Sequence, residues 1–532
     1  MGTFKLDGRD IPFEPGESII KAAHKAGVEI PHYCWHPGLS APANCRMCLV
    51  EIKPPPNQRP IMLDILHLDR KTGEYVPAQK PKLQPACQYP ATEGQEVLAD
   101  SSAHVKEARS AVQELLLLNH PVDCPICDQA GECKLQDYWL EHQAKAKRMH
   151  DEPVHKVKAQ SFGPTIVYDG ERCVMCTRCI RFMDEVAHDP VLDMRERGNL
   201  NEIFVAPGRE LTGNYTFMVE HVCPVGALTT KDFRFKARVW FLKSKESVCQ
   251  GCATGCNTHL DYDVRHNKVY RYRPRDNEAV NKYWMCDPGM LSYRRAHDDR
   301  ITSARVGKKS ATIESALDEA RRLLGDVARD HVAIVLSAQH SLEDNWALRE
   351  LGRKLEARGV FWSGAAPGAG DDILMDVDKN PNTRGVQELA PEAKPFRALL
   401  DAVRESRVTH VLALGSATPS QGADDATTLA MLRALVAIGA HHDGALTELA
   451  HVVLPACSWA EASGTWVNRT GIHQRAEKAI EPLGMSRPGW QHVVDVAGAL
   501  GVDLGVKRLR EVRARMAPAP DTTTSAAASP AE

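Results

Sequence analysis

Fifteen of the sixteen cysteines in this 532-residue chain fall into four groups, and one group opens with a histidine. The groups are Cys34, Cys45, Cys48 and Cys87; His120, Cys124, Cys127 and Cys133; Cys173, Cys176, Cys179 and Cys223; and Cys249, Cys252, Cys256 and Cys286. Each obliges residues far apart in the chain to converge, so these positions constrain the fold more than any other feature. Four soft or borderline ligands are the number that holds one iron–sulfur cluster, and four such sites on one polypeptide suggest a conductor of single electrons. Met1 to Asp10 is polar and lacks the apolar core of a signal peptide. In a large chain of that kind, clustered Cys-x-x-Cys pairs point to metal rather than to disulfides. No run of about 18 apolar residues occurs, so no membrane span is expected. A net charge of -3 gives no argument for nucleic acid or an anionic membrane surface.

The spacings differ in what they specify. The first, C-x10-C-x2-C-x38-C, resembles the plant-type ferredoxin arrangement for a [2Fe–2S] cluster with a wider first gap; a zinc site is the alternative, although zinc ribbons want two close pairs. The polar, Pro-rich stretch Lys53 to Pro85 reads as a loop insertion ahead of Cys87, which makes Cys87 the least certain ligand. The second, H-x3-C-x2-C-x5-C, suits either a [4Fe–4S] cluster or Cys3His zinc. In the third, Cys173, Cys176 and Cys179 reproduce C-x2-C-x2-C, and Cys223 precedes Pro224. Gly213, Thr216 and Val219 stand where a second ferredoxin run would carry cysteines, so this reads as a two-cluster ferredoxin domain with one site erased. Arg172, Arg178 and Arg181 either offset cluster charge or form a solvated basic face. The fourth, C-x2-C-x3-C-x29-C, has Gly251, Gly255 and Gly289 nearby, where backbone must bend around a core. Cys457, in an apolar run, reads as a buried small hydrophobe.

Between the groups, Phe4, Leu6, Ile11 and Phe13 with Gly8 predict a β-hairpin, and Glu17 to Ala26 a helix: the order of a β-grasp ferredoxin domain. Ala103 to Leu118 predicts a helix leading into His120. After Arg300 the pattern changes to strands alternating with helices. Ile313 to Val327 carries a helical stripe, Val332 to Leu336 and Val408 to Leu414 read as buried strands, and Ser341 with Asp344 reads as a capping box. That predicts a parallel α/β domain. No G-x-x-x-x-G-K-[ST] or G-x-G-x-x-G is present, so a separate NADH site on this chain is not expected.

NHPVDCPICDQAGECKLQD at 119–137, RCVMCTRCIRF at 172–182, EHVCPVGALTTKDFRFKARVW at 220–240 and VCQGCATGCN at 248–257 resemble the large iron–sulfur subunit family of respiratory NADH:quinone oxidoreductase (complex I). VVLPACSWAEASGTWVNRTGIHQ at 452–474 resembles the molybdopterin oxidoreductase domain family. The resemblance implies one [2Fe–2S] and three [4Fe–4S] clusters on the four groups, and a multidomain α+β and α/β fold. Its parts would be a [2Fe–2S] β-grasp ferredoxin-like domain (1–98), a His/Cys3 [4Fe–4S] domain (99–140), a [4Fe–4S] ferredoxin-like domain (141–243) and a molybdopterin-oxidoreductase-type [4Fe–4S] domain (244–300). A degenerate α/β molybdopterin-oxidoreductase-like domain (301–515), too short for a catalytic one and without molybdopterin, and a disordered tail (516–532) complete it. It further implies a flavin- and NADH-binding partner, other peripheral-arm subunits of complex I, and a place on the cytoplasmic side of a bacterial inner membrane. The competing readings are a subunit of an NAD-linked formate dehydrogenase or NAD-reducing hydrogenase, and a zinc-bound scaffold. An iron-only hydrogenase would need further cysteines after the fourth group.

Overall fold

The structure, a computed structural model, describes residues 1–420 and 422–516; the tail expected beyond Met516 lies outside them. The chain divides into two compact units, one built on Met1–Val239 and one beginning at Trp240.

The first unit opens with the hairpin Gly2–Leu6 and Arg9–Phe13, paired antiparallel around Gly8, whose φ of +85° only glycine adopts freely. Glu96–Leu98 lies parallel to the first strand, and Leu49–Lys53 and Gln84–Pro85 complete a five-stranded sheet. The helix is Ile19–Lys25, shorter than the periodicity suggested; it buries Ile19, Ile20, Ala22 and Ala23 against Phe4, Leu6, Ile11 and Val97. This is the β-grasp order.

The insertion is not a loop. Met62–Leu68 and Tyr75–Pro81 form a two-stranded hairpin outside the main sheet. Met62, Leu63, Leu66, Leu68, Tyr75 and Val76 are exposed on it, so neither face carries the polar–apolar alternation by which a strand is read from sequence. Ala103–Leu117 is helical, with Ser102 Oγ accepting the Val105 amide at 3.3 Å as its N-cap.

In the second unit, Lys243–Val248, Asn257–Asp263 and Lys268–Pro274 form an antiparallel sheet. An eight-stranded sheet follows, in the spatial order Lys309–Ala311, Ala304–Val306, Val452–Pro455, Ala434–Gly439, His410–Leu414, Val332–Ser337, Gly359–Ser363 and Lys394–Pro395. The last six are parallel and the first two antiparallel. Ile334, Leu336, Leu412, Leu414, Val436 and Ile438 face one core, while Ala333, Val335, Val411, Ala413, Leu435 and Ala437 face the other. Both faces are covered by helices, which is why these strands read as continuous apolar runs. Strand order reverses between Val332–Ser337 and His410–Leu414, the switch point of a doubly wound sheet.

Ser341 Oγ caps Leu342–Lys354 through the Asp344 amide at 3.2 Å. The return half of the predicted capping box is not made: the Asp344 carboxylate instead accepts the Trp490 amide at 2.7 Å and bonds His340 Nδ1 at 3.1 Å.

Candidate metal centres

All sixteen cysteines are free of disulfides. The first group is assembled by the β-grasp sheet. Strand pairing of Leu49–Lys53 with Gln84–Pro85, continued by the Ala86 amide on the Cys48 carbonyl at 3.0 Å, seats Cys87 beside Cys48. Cys48 donates to Cys87, and Cys34 to Cys45, so each acceptor thiol is held down and each donor pushed up. Cys45 is drawn to about 6 chiefly by Cys34, against burial, with the Cys34, Met47 and Tyr33 amides assisting. Ala43 and Arg46 take left-handed φ values of 55° and 61°, which wind this loop around the sulfurs.

In the second group, Cys124 and Cys127 sit on a turn closed by the Ile126 and Cys127 amides on the Asp123 carbonyl at 2.8 and 2.7 Å. Cys133 is the N-cap of Lys134–His142. Burial pushes its thiol to about 11 against amide bonds from Gln136 and Leu135. Cys127 feels Cys124, and Cys133 feels Cys127. His120 stands near Asp123 and Arg172, and Arg172 also borders Cys127. Burial, then Arg172, lowers His120 to about 4, so it is neutral as a metal-ligating imidazole must be. Gly226, close in sequence to Cys223, closes this site: a methyl there would lie 2.3 Å from Cys127 Sγ.

The third group lines one small apolar cavity with Tyr168 and Leu228. Cys179 feels Cys176, Cys173 and Cys223. Met175 and Thr177 are left-handed, at φ 52° and 61°, and the Met175 amide turns back onto Cys173 Sγ at 3.4 Å. Burial raises all four thiols, so metal capture here must release protons. Of the three arginines, none forms a solvated face. Arg172 pairs with Asp123 at 2.9 Å and Asp169 at 3.3 Å, while Arg178 and Arg181 bond main-chain carbonyls.

Three cysteines of the fourth group occupy the 249–256 loop that closes the Lys243–Val248 and Asn257–Asp263 hairpin, tied by the Cys249 amide on the Cys256 carbonyl at 2.9 Å, and Cys286 is the N-cap of Asp287–Leu291. Cys286 Sγ accepts the Gly289 amide at 3.3 Å. A Cβ on Gly289 would sit 3.1 Å from Cys286 Sγ and 3.2 Å from Cys249 Sγ, close enough that the two sulfurs would have to give by a few tenths of an ångström. Gly255 is left-handed at φ 59°. Burial raises Cys249 to about 12 and lifts Cys256 well above the usual thiol range. The Ala253 amide on Asp378 at 2.8 Å and the Arg469 amide on Ala253 at 2.7 Å anchor the loop to the α/β region.

Buried or half-buried sulfurs with amides turned toward them suit iron–sulfur clusters, and at the second and fourth groups a glycine Cβ would crowd a ligand thiol. Among the described residues no group of three or more His, Cys, Asp or Glu side chains is placed to hold a single metal ion. Cys457 is buried and apart from these groups. It borders a cavity of about 600 Å³ at the switch point, together with Gln339, His340, Ser416 and Asp443. A phosphate-bearing pterin does not fit there. Arg295 is the one arginine or lysine among the described lining residues, and its guanidinium is bound to Asp443, while Asp344, Asp425 and Glu448 add negative charge. Sequence reasoning missed Tyr33, Tyr168 and Gly226, none of which carries a ligand signal of its own.

Five families match in sequence. They are a 2Fe-2S iron–sulfur cluster binding domain over 1–102, the NADH-ubiquinone oxidoreductase-G iron–sulfur binding region over 109–148, and the NADH-quinone oxidoreductase subunit 3 ferredoxin-like domain over 163–229. A molybdopterin oxidoreductase Fe4S4 domain matches 242–298 and molybdopterin oxidoreductase 331–499. The four ligand groups fall one in each of the first four. The G subunit of NADH-quinone oxidoreductase from Rickettsia felis is 27% identical over 97% of this chain and 90% of its own length. The mitochondrial NADH dehydrogenase [ubiquinone] iron–sulfur protein 1 of Solanum tuberosum is 32% identical over 72% of this chain and 49% of its own. A chain of an NAD+-reducing [NiFe]-hydrogenase structure aligns with a TM-score of 0.36 and 27% identity, over 45% of this chain and 91% of that one.

Proposed function

Since the chain is homologous to the G-subunit family of NADH-quinone oxidoreductase, we propose that it is an iron–sulfur electron-relay subunit of a respiratory NADH:quinone oxidoreductase, taking electrons from a flavin- and NADH-binding subunit and handing them on toward quinone. In the whole complex that transfer is coupled to proton translocation. Clusters held by the four groups would supply reversible one-electron uptake with little movement of ligands. We assign a [2Fe–2S] cluster to Cys34, Cys45, Cys48 and Cys87. The [4Fe–4S] clusters go to His120 with Cys124, Cys127 and Cys133; to Cys173, Cys176, Cys179 and Cys223; and to Cys249, Cys252, Cys256 and Cys286. No molybdopterin is assigned, and the α/β region is a structural element of the subunit.

The observation that most supports the reading is that the four cysteines of the third group line one small apolar cavity, while Cys34 pairs with Cys45 and Cys48 with Cys87 in the first. The protein's part is to hold sulfurs at fixed positions, shield them from water and aim amides at them, which favours added negative charge. The loops of three groups interlock within the first unit. Arg178 and Arg181 join the first to the third. Arg172 and the Lys134 amide on the Pro224 carbonyl at 3.1 Å join the second to the third. Tyr33 reaches between Cys45 and Cys133, its hydroxyl donating to Gln113 at 2.6 Å.

Among the described residues no helix is long and apolar enough to cross a membrane; we place the chain peripherally, on the cytoplasmic side of a bacterial inner membrane, through its partners. In the assembled complex, Cys179→Ser should remove one [4Fe–4S] signal and stop NADH-driven quinone reduction. Undiminished turnover with that signal gone would overturn the relay.

A further inference from the structure

Arg178 and Arg181 stand three residues apart at the start of the helix Arg178–Glu185, and so share a face. Arg181 donates through Nη2 to the Cys34 carbonyl at 2.5 Å and the Cys176 carbonyl at 3.3 Å, through Nη1 to the Ser40 carbonyl, and through Nε to Thr177 Oγ1 at 3.3 Å. Arg178 donates through Nη2 to the Trp35 carbonyl at 2.5 Å and through Nη1 to the Val222 carbonyl at 3.2 Å. Apart from the Ser40 carbonyl, these acceptors belong to ligand cysteines or their immediate neighbours, in the first group and in the third.

A carbonyl accepts a hydrogen bond without balancing charge. Glu185, a carboxylate near Arg181, is exposed and bound to the Ser40 amide at 2.8 Å. Arg178 has no carboxylate partner among the described residues, and its Nε is buried without an acceptor. What both guanidiniums do face is sulfur: Cys176 feels Arg178 and Arg181, and Arg181 feels Cys34. Two permanent charges therefore lie between the first and third ligand groups, held chiefly by main-chain carbonyls.

We propose that Arg178 and Arg181 form a cationic bridge that sets the reduction potentials of the first-group and third-group clusters together, beyond clamping the two loops. This rests on the assignment of clusters to those groups. An added electron makes either cluster more negative, and a fixed positive charge nearby favours that state. A charge placed between two clusters acts on both.

The test is a redox titration followed by low-temperature EPR, on the intact complex carrying Arg178→Gln or Arg178→Lys. Arg178→Gln should lower the reduced-to-oxidised ratio about tenfold at a fixed ambient potential, roughly 59 mV for one electron. Both centres should shift in the same direction, with the second-group signal shifting less. Arg178→Lys keeps the charge but loses the fork to Trp35 and Val222, and should stay within about threefold of the parent. A shift in neither centre or in only one, or a lysine variant as displaced as the glutamine one, would overturn the proposal. Should Arg178→Gln fail to load clusters, Glu185→Gln carries the test: losing the counter-ion should move both ratios toward the reduced form at low ionic strength, and unmoved ratios would overturn it. A parent complex lacking either signal would instead refute the cluster assignment.

Discussion

Replacing Gly226 by alanine separates sequence proximity from spatial proximity. Gly226 follows Cys223 by three residues and so belongs, by sequence, to the third ligand group. In space a methyl at that position would stand 2.3 Å from Cys127 Sγ and 3.0 Å from Gln129 Cβ, both of the second group. Ordinary van der Waals contact begins at about 3.4 Å, so the sulfur would have to retreat by roughly 1.1 Å. Metal-ligand distances hold to about 0.2 Å, and overpacking of this kind costs about 1–3 kcal/mol. The displacement exceeds what a ligand can absorb, while the energy is too small to unfold a large chain. Gly226→Ala should therefore cost about four irons per chain and the EPR signal of the His-ligated centre, with the other three signals kept. Loss of the third-group signal with the second intact, or no change in iron, would refute the geometry.

Other consequences follow from burial and charge. Asp261 accepts from Arg271 Nε at 2.8 Å and Arg273 Nε at 2.7 Å; burial opposes its ionisation, but Arg273 and Arg271 hold it down to about 2. A depressed carboxyl stabilises the fold above its unfolded value of 3.8 and loses that contribution as pH falls through about 2, on the order of 2 kcal/mol. Asp261→Asn should flatten the acid limb of the stability curve between these pH values, measured by denaturant unfolding; an unchanged limb would count against the pairing. Gly498 lies inside the helix Gly489–Ala499 with open space where a Cβ would go. Gly498→Ala should add about 0.5–1 kcal/mol and raise the melting midpoint, whereas a lower midpoint would mean the position is not free. Cys457→Ala should leave iron, sulfide and all four EPR signals unchanged; lost iron would make Cys457 a ligand.

The parts of this molecule that were legible in sequence are those fixed by local chemistry. The hairpin around Gly8, the Ala103–Leu117 helix and the buried parallel strands each carry their period in the chain. Three closely spaced ligands in each group announce themselves in the same way. Long-range placement is different. Strand order is not a property of periodicity, so the switch point between Val332–Ser337 and His410–Leu414 could not be read. The Met62–Pro81 hairpin escaped because its apolar side chains occupy both faces. Asp344 escaped because Trp490, 146 residues away, competes for its carboxylate. Cys87 looked doubtful across a 38-residue gap, yet strand pairing seats it beside Cys48. Apart from Cys176, the carbonyls that Arg178 and Arg181 grip lie about 140 residues upstream, or about 45 downstream at Val222, which is why a solvated basic face was as good a reading of the sequence as a structural one.

The central claim is that these fifteen thiols and one imidazole hold iron and sulfide. Metal and acid-labile sulfide analysis of the anaerobically purified complex, with low-temperature EPR after NADH reduction, tests it most directly. The account predicts about 14 irons on this chain, matching sulfide, and one [2Fe–2S] with three [4Fe–4S] centres. Stoichiometric zinc with no paramagnetic signal on reduction would contradict it.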